Sequence, residues 1–241
     1  MKKDEFIQLA KDVSKCHICE NMVTLPHLLN SEYLENDNHG LDEGVPYVNR
    51  WNLWQGNLDA DIMVIGQDYG QKEVDSNIEV WKSGTYTNPT DVALRNLFNI
   101  AFSINIDAEE TPLFFTNMAN CYRKQKTTGG MHSGWLPVCA NKFMARLITI
   151  IRPKVIIVLG QAAFEAMYCI EGLKIECIDP EESDNSTFSE IIKHNYMLNL
   201  NGSEMGVFPV YHPGANSKRN RSEEDQINDW RRIANFYNQI R

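Results

Sequence analysis

The sequence predicts an α/β fold, a three-layer α/β/α sandwich built on a four-stranded, mostly parallel central sheet. Three observations carry that expectation. Four short apolar runs, at 62–65, 113–117, 155–159 and 207–211, have strand length and are separated by segments with helical patterning. Each run ends on a glycine or a polar group: Gly66 with Asp68 close behind, Asn117, Gly160, and His212-Pro213. That is where open α/β sheets place their binding residues, at the carboxyl ends of the strands. The closing stretch 223–240 carries Ile227, Trp230, Ile233, Phe236, Tyr237 and Ile240 at 3–4 spacing, the mark of a helix packed on a sheet.

The elements follow in order. Residues 2 to about 13 predict a short helix with Phe6, Leu9 and Val13 on one face. Residues 20–59 read as largely irregular, with Trp51, Leu53 and Trp54 leading into the first strand. A long polar loop, 71–90, follows Asp68, and long loops at an active rim are often functional. Pro89-Thr90-Asp91 opens a helix whose apolar face is Leu94, Leu97 and Phe98. A third helix is expected from Cys139 to Ile151, stopped by Arg152-Pro153. A fourth is expected from Gly160 to about Tyr168. Residues 170–205 are the least readable, with an acidic loop and room for a short helix or a hairpin.

At 241 residues and 43% hydrophobic content, the chain suits one domain with a sizeable core. Repeats and low-complexity tracts are absent, and no apolar run reaches the roughly 20 residues of a membrane helix. The first residues lack the apolar core of a signal peptide, so a cytoplasmic location and no membrane partner are expected. The net charge of −9 argues mildly against nucleic acid as a partner. Two local basic clusters argue the other way: Arg123-Lys-Gln-Lys126, and Lys218, Arg219 and Arg221 just past His212.

Six cysteines in such a chain do not suggest a disulfide framework. Cys16 and Cys19 form a C-x2-C, and Cys121 and Cys139 stand close to the second strand and the helix after it. Together the four suggest a metal centre that clamps the N-terminal segment, about 1–59, onto the domain. The spacing admits a zinc held by four thiolates as readily as a four-iron cluster. A redox C-x2-C is disfavoured because the pair follows a helix instead of a strand. Cys169 and Cys177 lack a partner motif and read as ordinary core or surface residues, and His194 as an ordinary loop histidine.

The run Gly66-Gln67-Asp68-Tyr69-Gly70 fits neither a dinucleotide-binding fingerprint nor a P-loop. Asp68, Asn117 and His212 instead form a set able to handle a planar heterocycle. An amide reads a donor–acceptor edge, an imidazole donates to a developing oxyanion, and a carboxylate positions water or offsets positive charge.

On Gly66-Gln67-Asp68, Thr116-Asn117 and His212-Pro213, in that order, the chain resembles the uracil-DNA glycosylase superfamily. Cys121 four residues after Asn117, the stretch 152–160 and the stretch 57–66 resemble its iron–sulfur-containing branch. The likeness covers roughly residues 12–237. It implies flipping of a uracil-type nucleotide out of DNA, with hydrolysis of the N-glycosidic bond to leave an abasic site. It implies that Asn117 reads the base, that His212 stabilises charge on its O2, and that Asp68 orients water and stabilises the sugar cation. Gly66, Gln67, and Tyr69 or Tyr86 as the stacking aromatic, would complete the base pocket. Lys218, Arg219 and Arg221 would contact the DNA backbone. Cys16, Cys19, Cys121 and Cys139 would hold a structural [4Fe-4S] cluster, with zinc as the alternative. A single-domain monomer acting on DNA with deaminated bases is the expectation. The sequence departs from the family pattern in Tyr69-Gly70 after the first motif, in His212-Pro-Gly-Ala-Asn216, and in the long insert 20–50. The competing readings are a nucleic-acid or protein binding module on the same fold without the chemistry and, last, an iron–sulfur sensor or electron-transfer protein.

Overall fold

The computed structural model describes residues 2–14, 16, 18–19, 22–24, 55–68, 89–108, 110–123, 134–179, 187–214 and 220–241. The chain opens with α1 (Lys2–Ser14), whose Phe6, Leu9, Ala10 and Val13 are all buried. Next come β1 (Met22–Thr24), the two-residue β2 (Gln55–Gly56) and β3 (Ile62–Gly66). Helix α2 (Pro89–Phe102) leads to β4 (Leu113–Asn117) and β5 (Cys121–Arg123). One helical stretch then divides into α3 (Trp135–Cys139), a π-helical segment (Ala140–Met144) and α4 (Ala145–Ile151). It is followed by β6 (Val155–Leu159), α5 (Gln161–Met167), β7 (Leu173–Cys177) and α6 (Phe188–Ile191). The chain closes with β8 (Tyr196–Leu200), β9 (Ser203–Val210) and α7 (Glu223–Ile240).

The main sheet has the order β2-β4-β3-β6-β9-β8-β7. Its centre, β4-β3-β6-β9, is parallel throughout and comprises the four strands expected from sequence. The expected count is nevertheless corrected. Among the described residues the sheet has seven strands and is mixed, because β2, β8 and β7 add antiparallel edges. Strands β7 and β8 occupy the stretch that carried no clear periodicity. β7 is half exposed along its length, with the pattern of an edge strand, so it lacks the continuous apolar run that marks a buried one.

The sheet is covered on both faces. Met63, Ile65, Phe114, Ile156, Val158 and Val207 pack against α1, α3, α4 and α5. Ile62, Val64, Phe115, Val155, Ile157 and Phe208 pack against α2 and α7. This two-sided burial explains why β3 and β6 read as continuous apolar runs. Pro209 is tolerated in β9 because β8 pairs only with residues 203–207, which leaves the end of β9 bonded on one side, to β6.

The termini of the elements are readable in physical terms. Arg152 adopts a left-handed conformation at φ 55° and caps α4 by donating to Ile148 O, and Pro153 then blocks continuation. Ser222 caps α7 by accepting from Asp225 N at 3.1 Å, and three acids in the first turn complement the helix dipole. Helix α1 is fastened by its apolar face, and Lys2 Nζ donates to Leu58 O at 3.0 Å and Ile151 O at 3.2 Å.

Candidate active site

The parallel centre of the sheet aims four strand ends at one rim. β3 ends at Gly66, and its register partner in β4 is Asn117. The two ends are stitched together beyond the sheet, where Met118 N donates to Gly66 O at 2.7 Å and Ala119 N donates to Gln67 O at 2.9 Å. Asp68, half-buried, follows directly from this stitched pair. Gly66 has a specific steric role, since a Cβ there would run into Asn117 Oδ1. The amide of Asn117 therefore lies across the position that any other residue at 66 would fill.

His212 arrives from β9, on the far side of β6. Two inter-strand spacings separate β3 from β9, roughly 10 Å. Asp68 and Asn117 thus stand on one side of the rim and His212 on the other. Gly160, at the end of β6 with φ +93°, lies between them, and a Cβ there would stand 3.8 Å from His212 Cβ. Gly214 N donates to His212 Nδ1 at 3.2 Å. A ring nitrogen that accepts cannot carry the proton, so the neutral imidazole presents its N–H at Nε2. A Cβ on Gly214 would also lie 3.0 Å from His212 Nδ1 and 3.3 Å from Thr90 Oγ1, which places the first turn of α2 against this loop.

The His212 side chain is exposed to solvent, yet desolvation holds its pKa below the ordinary value. The direction of both geometry and desolvation is the same, toward a neutral ring at neutral pH.

Tyr69, Tyr86, Lys218 and Arg219 lie outside the described residues. Arg221 is described, and its guanidinium is engaged by Asp229 through Nε at 2.9 Å and Nη2 at 2.7 Å. The pair is mostly buried, with side-chain exposures of 19% and 9%. A phosphate contact at Arg221 would share the guanidinium with this carboxylate.

The cysteine centre is only partly described. Strand β1, three residues beyond Cys19, pairs antiparallel with β5, whose first residue is Cys121 opposite Thr24. The Cys121 side chain is outside the described residues. Cys139 is buried, and its Sγ accepts from Asn120 N at 3.3 Å and Asn120 Nδ2 at 3.6 Å. Burial pushes its thiol up to about 11, and the Cys16 and Cys19 thiols add to the rise. Lys142 Nζ stands 3.9 Å from Cys16 Sγ. Clustered thiols with N–H groups aimed at sulfur fit a thiolate-held centre, because a bound cation would stabilise the thiolate form that burial disfavours.

A second group able to hold a metal ion was not foreseen. Cys177, Asp179 and His194 bring one ligand atom each to within 4.8 Å of one another. Cys177 and His194 read as ordinary in the sequence because their proximity depends on β7 and β8. The trace that was available is the Cys177-x-Asp179 pair with a later histidine.

The fold and rim define the class: an open α/β domain with an acid, an amide and a neutral imidazole at the carboxyl ends of parallel strands. Residues 53–234 match the sequence profile described as the Uracil DNA glycosylase superfamily. The chain belongs to that superfamily. The matched stretch contains Gly66, Asp68, Asn117, Cys121, Cys139 and His212 and excludes Cys16 and Cys19. The chain is also similar to a Type-4 uracil-DNA glycosylase of Saccharolobus solfataricus, at 26% identity over 161 residues. That alignment spans 67% of this chain and 64% of the relative, under two thirds of the relative's length. No helix among the described residues is long and apolar enough to cross a membrane.

Proposed function

We propose that the protein is a DNA glycosylase that hydrolyses the N-glycosidic bond of uracil, or of a related deaminated base, in DNA. The observation that carries the reading is the placement of Asp68 and Asn117 on one side of the rim and His212 on the other, with Nε2–H as the histidine's donor. A base turned out of the stack would enter the gap between them. Asn117 would read its Watson–Crick edge with one donor and one acceptor. Gly66, Gln67, and Tyr69 or Tyr86 would wall the pocket.

The C1′–N bond breaks with its electron pair leaving on the base, and charge develops on the base oxygen facing His212 Nε2–H. A neutral imidazole donates there without prior protonation, a hydrogen bond that strengthens as the charge grows. Asp68 holds the attacking water and offsets the positive charge on the sugar. Water adds hydroxide to C1′ and gives up a proton to Asp68 or solvent, and the departing base takes up a proton from solvent. The products are free base and an abasic site.

Lys218 and Arg219 would contact phosphates, while the Arg221 guanidinium is held by Asp229. The chain acts as one domain and a monomer in this reading. Cys16, Cys19, Cys121 and Cys139 would hold a [4Fe-4S] cluster or, alternatively, zinc. Such a centre supplies a covalent tie between the N-terminal segment and the domain, and hydrolysis needs no electron from it.

The test uses uracil-containing single- and double-stranded oligonucleotides with protein whose metal centre is intact. Alkali-labile strand scission at the uracil position supports the reading. Tight binding of the same oligonucleotides without scission, there and with hypoxanthine or other deaminated bases, would favour the binding-module alternative.

A further inference from the structure

We propose that Cys177, Asp179 and His194 form a binding site for a zinc-class divalent cation that staples the connection between β7 and β8. The three ligand atoms already lie within 4.8 Å of one another. His194 Nδ1 and Asp179 Oδ2 are 3.2 Å apart. Nitrogen and oxygen ligands on one tetrahedral zinc, with bonds of about 2.0–2.2 Å, stand roughly 3.4 Å apart. The observed spacing therefore needs little adjustment. Sulfur, oxygen and nitrogen together form a donor set suited to zinc, with a fourth position left for water. One thiolate and one carboxylate balance the two positive charges, and the histidine ligates as a neutral ring.

The site is braced from behind. Asn195 N donates to Asp179 Oδ2 at 2.8 Å and Asn195 Nδ2 donates to Asp179 Oδ1 at 3.0 Å, which fixes the carboxylate. Arg232 on α7 donates to Ile192 O at 2.6 Å, His194 O at 3.0 Å and Asn195 Oδ1 at 2.5 Å, which fixes the histidine-bearing bend. Cys177 closes β7 opposite Tyr196, the first residue of β8, and Ile178 N donates to Asn195 O at 3.0 Å. The ligands thus clamp both ends of the segment 178–195 at its neck.

The location gives the staple a consequence. Strands β7 and β9 both run antiparallel to β8, so the end of β7 points to the same side of the sheet as His212. Within the clamped connection Phe188 stacks edge-on against Tyr211, ring centroids 5.1 Å apart, and Tyr211 immediately precedes His212. A bound cation would stiffen the support of that end of the rim.

The experiment is peptide-resolved alkylation of the full chain, with its cysteine centre intact, with and without Zn2+. Exposed Cys169 serves as an internal control. At free Zn2+ about ten times its dissociation constant, labelling of Cys177 slows about tenfold and that of Cys169 stays unchanged. His194→Ala and Asp179→Asn each remove the protection. An unchanged Cys177 rate, equal slowing at Cys169, or protection that survives both ligand substitutions would overturn the proposal.

Discussion

Asn117 lies over Gly66, its register partner across β3 and β4, in the space a methyl group at 66 would fill. The absence of a side chain at one strand end sets the position of the amide at the next. Gly66 does not have positive φ, so alanine there is compatible with the backbone and the conflict is with Asn117 alone.

Gly66→Ala is therefore expected to leave the fold intact and displace the Asn117 amide. A shift of about 1 Å in a positioning group costs on the order of 100-fold in rate. Base release should fall by about that factor while the far-UV dichroism and melting temperature stay close to those of the parent. Parental activity in Gly66→Ala would remove Asn117 from the site.

His212 should titrate below its ordinary value of about 6.5 and carry its neutral proton on Nε2. Between the ordinary and the depressed pKa the unfolded chain binds a proton at this ring that the folded chain does not, so stability falls as pH drops through that window. Nitrogen-15 NMR of labelled histidine reports both pKa and tautomer. His212→Gln should flatten that part of the stability profile.

Arg221→Ala removes one partner of a mostly buried ion pair and leaves Asp229 behind. The expected cost is about 2–3 kcal/mol, given the residual exposure, which corresponds to roughly 4–12 °C in melting temperature. The salt dependence of DNA binding should stay unchanged. A slope smaller by about one unit with unaltered melting would instead assign Arg221 to a phosphate.

The cysteine centre and the first helix should separate experimentally. Cys139→Ser is expected to lose the bound metal, read by iron, sulfide and zinc analysis, while α1 stays docked through Phe6, Leu9, Ala10 and Val13. Phe6→Ala should cost about 3–5 kcal/mol, since that ring is fully buried and packs edge-on against Phe114. In metal-free protein the Cys139 thiol, pushed up to about 11, should alkylate slowly at neutral pH.

What could be read in the sequence follows burial. β3, β4 and β6 are buried nearly throughout, so their apolar runs are explicit, and the residues that end them mark the rim. β7 is an exposed edge and β2 is two residues long, so neither leaves a periodic signal. Asp68, Asn117 and His212 stand out in the sequence as candidates because each ends or closely follows a readable strand. The Cys177–Asp179–His194 group could not, because it depends on pairing between β7 and β8. The service of Arg221 to Asp229 was hidden for a similar reason: a basic residue in a basic cluster looks solvent-facing until the helix beside it is placed. The helix expected from Cys139 begins at Trp135, and Pro137 within its first turn obscured that start.

The most direct measurement of the central claim is quantification of free uracil and abasic sites from one uracil-containing oligonucleotide, for the parent and for Asp68→Asn. The account predicts equal amounts of both products from the parent, and a rate at least about 100-fold lower when the carboxylate becomes an amide. Base release by Asp68→Asn at the parental rate would contradict the role of Asp68. No release by the parent from uracil or any other deaminated base, with DNA still bound, would contradict the glycosylase reading itself.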